Sequence, residues 1–152
     1  MEIFWKYIDK RGAAIAALKD RPYMQYIIDH TDQEIKELYQ SLSDPRSVQF
    51  EYTSSSGDVH AGESKIAGAI DKSSVMEHRY EEALAYMKWF EGAWEALSED
   101  DRYVLEAFYG KDREYGDGVA DEISEAFHIE RSSAYRRKNR AVEKLALLLY
   151  GN

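Results

Sequence analysis

The chain has 152 residues, 20 of them basic and 29 acidic, for a net charge of −9 with histidine neutral. That length suits one domain, or a small domain with an appendage, and 44% hydrophobic residues suffice for a folded core. Cysteine is absent, which excludes disulfides, iron–sulfur clusters, thiolate zinc sites and a cysteine nucleophile.

The apolar residues Phe4, Tyr7, Ile8, Ile15 and Leu18 recur at three- and four-residue steps and predict a first helix over residues 1–20, weakened at Gly12. Arg21-Pro22 predicts a break, because proline disfavours the α conformation just before it. A second helix is expected over residues 22–42, with Met24, Ile27, Ile28, Ile35, Leu38 and Leu42 on its apolar side and Thr31 interrupting them. Ser43-Asp44-Pro45 is a stop signal. Residues 44–63 read as a flexible loop, since the lone alternation Val48, Phe50, Tyr52 makes at most a marginal hairpin.

A long helix is expected over residues 64–97, its stripe formed by Ile66, Ile70, Tyr80, Leu84, Met87, Trp94 and Leu97, with Ser73, Glu77 and Glu91 filling seam positions. Ser73-Ser74 is a candidate break, with Ser74 and Glu77 at capping-box spacing. Such a helix packs within the chain or along a second copy, and a homodimer through the N-terminal helices stays open at this point.

The C-terminal unit begins at residue 98. Ser98 and Asp101 have capping-box spacing, and Glu99, Asp100 and Asp101 suit a positive helix N-terminus. Val104, Leu105 and Phe108 give this helix an apolar face that ends near Tyr109-Gly110. A polar loop over residues 111–118 precedes a short helix over 119–127, with Val119, Ile123 and Phe127 on one face. A turn at His128-Ile129-Glu130 leads into a last helix over residues 131–150. Three helices with a tight turn before the last are the parts of a helix-turn-helix.

The last helix holds the charge asymmetry. Residues 131–144 carry six basic side chains against Glu143, a net of +5, which leaves −14 on the rest of the chain. A basic helix on an acidic body presents one face to a phosphate backbone. At 100° per residue Ala134, Ala141, Leu145 and Leu148 fall on one side, the expected buried stripe. Ser132, Tyr135, Arg136, Asn139 and Arg140 fall opposite. These side chains read base edges, Arg pairing bidentately with guanine and Asn with adenine. Arg131, Arg137, Lys138 and Lys144 lie at the end or on the flanks and suit phosphate contacts. The plainer reading of the same pattern is a solvated basic surface helix.

Residues 97–149 resemble region 4 of sigma-70-type factors. The resemblance rests on the acidic start Leu97-Ser98-Glu99, on Glu122-Ile123-Ser124, and on Arg140-Ala141-Val142 with Leu145. The chain from about Tyr23 onward is also similar to phage-encoded transcriptional regulators of the ArpU and RinA type. His128 stands at the usual turn glycine and Glu130 at the usual capping serine. The resemblance implies an all-α fold, with an N-terminal long-helix region over 1–97 and a C-terminal sigma-region-4-like three-helix domain over 98–152. It implies duplex DNA as partner, host RNA polymerase as a further one, and activation of phage or prophage late genes.

Other classes find less in the residues. His30, His60, His78 and His128 share no metal-ligand spacing, and Gly116-Asp117-Gly118 lacks the Lys-Ser/Thr of a phosphate loop. No enzyme, metal or cofactor is expected. The longest apolar run, residues 145–150, falls far short of the roughly 20 residues a bilayer span takes. The N-terminus has no signal-peptide pattern, so a protein of the bacterial host cytoplasm is expected. Two rivals remain. Phage small terminase subunits also join a helix-turn-helix to oligomerising helices, for DNA packaging. An interaction module would use the basic helix on a protein and bind no DNA.

Overall fold

The computed structural model describes residues 8–43, 61–110 and 117–152. Phe4, Tyr7, residues 44–60 of the expected first loop and 111–116 of the second lie outside them. The described residues form five helices and no strand, so the protein is all-α. These are α1 (Lys10–Ser43), α2 (Ala61–Ala96), α3 (Glu99–Tyr109), α4 (Asp117–Phe127) and α5 (Arg131–Tyr150). None is long and apolar enough to cross a membrane.

The chain divides into two compact units, one holding residues 24–85 and the other residues up to 23 together with 86–152. The sequence suggests a division after residue 97. The segments 8–23 and 86–97 lie before that line and pack with α3–α5.

In the unit of residues 24–85, α1 and α2 run antiparallel. Tyr39 lies beside Ser73, their hydroxyls 3.1 Å apart. Further back along α1, Tyr26, Ile27, Thr31 and Glu34 share a small cavity with Met76 and Arg79 of α2. Thr31 does not interrupt the α1 seam but belongs to it: it is buried, and its hydroxyl donates to the Ile27 carbonyl. On α2 the inward positions are Ala69, Ser73, Met76, Tyr80 and Ala83, alternating steps of four and three. This corrects the expected stripe, for Ile66, Ile70 and Leu84 are exposed at 53%, 51% and 42%. Small residues at 69, 73 and 83 let two helices approach closely, and large apolar residues there would hold them apart. Ser73-Ser74 does not break α2. The Ser73 hydroxyl donates to the Ile70 carbonyl of the preceding turn, so it is satisfied without disrupting the helix.

In the second unit the Asp9 carboxylate accepts from the Gly12 N–H at 3.0 Å and so caps α1. A Cβ at residue 12 would collide with that carboxylate, so the glycine that weakens the apolar pattern is the residue that admits the cap. The expected break at Arg21-Pro22 does not occur: α1 continues through Pro22. Proline inside a helix removes a hydrogen bond, at a cost of about 3 kcal/mol. Tertiary contacts surround the defect. Arg21 pairs with Glu91 at 2.8 Å and lies over the Trp94 ring at 5.0 Å. The Tyr86 hydroxyl donates to the Ala17 carbonyl. A larger core joins Ala14, Ala17 and Leu18 of α1 to Phe90 and Trp94 of α2, Leu105 of α3, and Val142, Leu145 and Leu149 of α5. Tyr86, Phe90 and Trp94 stack in turn at 5.6 and 5.8 Å.

Ser98 caps α3, accepting from the Asp101 N–H at 3.2 Å as the spacing predicts. α4 begins at Asp117, two residues before the expected start. A smaller core joins Val104 and Ala107 of α3, Ala120 and Ile123 of α4, and Ala134 of α5. The α5 stripe needs one correction. Ala134, Ala141 and Leu145 are buried, but Leu148 is 45% exposed and Leu149 is buried in its place. The stripe is rotated because α1 packs on α5 alongside α2 and α3. Leu148 instead lines a shallow groove of about 250 Å³ with Leu147, Leu97 and the Lys144–Asp101 pair.

Candidate nucleic-acid interface

The face begins in the turn before α5. Phe127 ends α4 and His128 takes a left-handed conformation, φ 54°. Its N–H reaches the Glu125 carbonyl at 3.4 Å, and the Ile129 N–H reaches the Ser124 carbonyl at 3.0 Å. This is the double hydrogen-bond pattern that closes a helix with a left-handed residue, usually glycine. Ile129 packs into the smaller core, and the Ser124 hydroxyl donates to its carbonyl. Glu130 then opens α5 in an extended conformation. Its carbonyl accepts the Ala134 N–H at 3.1 Å, while its carboxylate makes no cap bond. Small Ala134, fully buried, seats the start of α5 against the α3–α4 pair.

With that side fixed, Ser132, Arg136, Asn139 and Arg140 are exposed along one face of α5. Their spacing of four, three and one puts them within an arc of about 100°. Among the described residues, the side chains of Arg136, Asn139 and Arg140 have no ion pair or hydrogen bond. Arg136 and Arg140 are like charges one turn apart, an arrangement that costs the helix about 0.2–0.5 kcal/mol.

The fifth base-reading candidate sits differently. Tyr135 is half-buried and joins the smaller core, its ring 5.8 Å from Phe108. The phosphate candidates also divide. The Arg137 guanidinium lies over the Phe127 ring at 4.2 Å, and Lys138 lies over Phe108 and Tyr135 at 5.4 and 5.5 Å. Their stems cover the small core while their charges stay at its edge. Arg131 is 3.8 Å from Asp121, and Lys144 pairs with Asp101 at 2.8 Å.

Two contacts had no signal in the sequence. Glu143, the one acid of the basic run, meets Arg11 of α1 at 3.6 Å. Lys10, beside it, donates to the Gly151 carbonyl at the end of α5, at 3.1 Å. Partners 132 and 141 residues apart leave no local pattern to find. Among the described residues no three metal-ligating side chains converge.

The chain matches no protein-family model, and neither a curated protein nor a solved structure matches it.

Proposed function

We propose that the protein binds duplex DNA with the exposed face of α5 in the major groove. The observation that carries this reading is the set Ser132, Arg136, Asn139 and Arg140. They are base-reading side chains gathered on one exposed face of a strongly basic helix in an acidic chain. Arg131, Arg137, Lys138 and Lys144 flank that face and serve phosphate oxygens, Lys144 and Arg131 by exchanging carboxylate partners for phosphate. Tyr135, half-buried beside Phe108, packs beneath that face. The helix-turn-helix reading, the role as a phage or prophage transcriptional regulator and host RNA polymerase as a partner rest on the resemblance to sigma region 4 and to ArpU- and RinA-type regulators. A homodimer through the N-terminal helices would read half-sites separated by whole helical turns.

The test is fluorescence anisotropy with a duplex that the parent selects from a randomised pool, across a salt series, comparing the parent with Arg136→Ala/Arg140→Ala. Binding that weakens steeply with salt and is lost in the double variant supports the reading. Salt-insensitive binding, or a variant that binds as the parent does, overturns it. Arg137 is left intact because its guanidinium covers Phe127 and its loss would disturb the core.

A further inference from the structure

We infer that Arg11 of α1 belongs to the DNA-contacting surface as a phosphate contact, with Glu143 of α5 as its positioning residue. The inference rests on the DNA-binding reading and extends it to a helix that the sequence does not connect with α5.

Glu143 lies four positions beyond Asn139 and three beyond Arg140, so it shares their face one turn further along. Seven residues separate it from Arg136, about 10 Å along the axis. The major groove is about 12 Å wide. A helix with Arg136 against base edges therefore brings the Glu143 turn to the sugar–phosphate strand that borders the groove. A bare carboxylate there would repel the phosphates. Arg11 meets it at 3.6 Å and cancels its charge.

That pair contributes little to folding. Arg11 and Glu143 are 52% and 58% exposed, and exposed pairs are worth about 0–1 kcal/mol. Arg11 is nevertheless held in place. Lys10, its neighbour, is fastened to the Gly151 carbonyl, and Ala14 of the next turn is buried in the larger core. A guanidinium has five N–H donors in a fixed fork, so one that faces a carboxylate on one edge still presents donors to a phosphate on another. Glu143 sets its direction and Arg11 supplies the charge.

The test uses the full chain, the duplex that the parent selects from a randomised pool and a salt series from about 50 to 200 mM. Arg11→Ala is expected to weaken binding about three- to tenfold, with the slope of log K against log salt reduced by about 0.9, the value of one phosphate contact. Glu143→Gln is expected to tighten binding, because it removes the repelling charge while the amide oxygen still accepts from the Arg11 guanidinium and keeps its direction. If Arg11 acted only by cancelling the Glu143 charge, Arg11→Ala added to Glu143→Gln would bind as Glu143→Gln alone does, and that result overturns the inference. So does Arg11→Ala binding with unchanged affinity and slope while Arg136→Ala/Arg140→Ala binds weakly, in which case the DNA reading stands without it. No salt-dependent binding by the parent removes both.

Discussion

His128 and Tyr86 show how single residues carry costs that the surroundings determine. A left-handed backbone at a non-glycine residue costs about 1–2 kcal/mol, and His128 bears it to close α4 and aim α5. His128→Gly is expected to raise stability by about 0.5–1 kcal/mol, the relieved strain less the entropy glycine adds to the unfolded chain. His128→Val should lower it, and urea unfolding reads both. Tyr86 buries its hydroxyl against the Ala17 carbonyl. Burial, and then the charge of Asp20, push its ionisation above the ordinary value near 10. A raised acid favours the protonated folded state, so its contribution is complete below about pH 10 and lost as the pH rises beyond it. Tyr86→Phe is expected to cost about 1 kcal/mol at neutral pH and to flatten the alkaline fall in stability. A parent and variant with parallel stability curves above pH 10 would contradict this.

At the scale of elements, close approach decides more than apolar content does. α2 turns Ala69, Ser73 and Ala83 inward and leaves Ile66 and Ile70 outside. Ala134 plays the same part where α5 starts. Ala134→Leu adds volume at a fully buried position between α3, α4 and α5, and is expected to cost about 1–3 kcal/mol. It should also weaken DNA binding through displacement of the α5 face, which thermal unfolding and anisotropy together detect. Continuity through Pro22 has the same origin. Arg21, Tyr86 and Leu18 make long-range contacts on the turns around it. The local preference of a pre-proline residue is weaker than that set of contacts.

The whole molecule separates charge by context. Six basic residues sit in one helical segment, but the fold sorts them into different environments. Among the described residues Arg136 and Arg140 face outward without partners, Arg137 and Lys138 lie over aromatic rings, and Arg131 and Lys144 stand beside carboxylates. The sorting predicts distinct behaviours. Arg136→Ala is expected to relax sequence preference by about 1–3 kcal/mol at the contacted base pair, read by selection from a randomised duplex pool. Lys144→Ala is expected to weaken binding to every sequence and reduce the salt slope by about one. Equal effects of the two on all sequences would refute the division of roles. Arg137→Ala is expected to lower thermal stability as well, because it uncovers Phe127.

The helical class, the extents of α3 and α5, the Ser98 cap and the charged face were legible in the sequence. Each depends on residues within a few turns of one another, where spacing and side-chain chemistry act directly. The seam of α2, the passage of α1 through Pro22, the exposure of Leu148, the half-burial of Tyr135 and the meeting of Arg11 with Glu143 were decided by tertiary structure. Each depends on which element packs alongside, and partners more than a hundred residues apart leave no periodic trace. Periodicity marks which side of a helix is apolar, whereas the size of the neighbour decides which residues on that side can be enclosed.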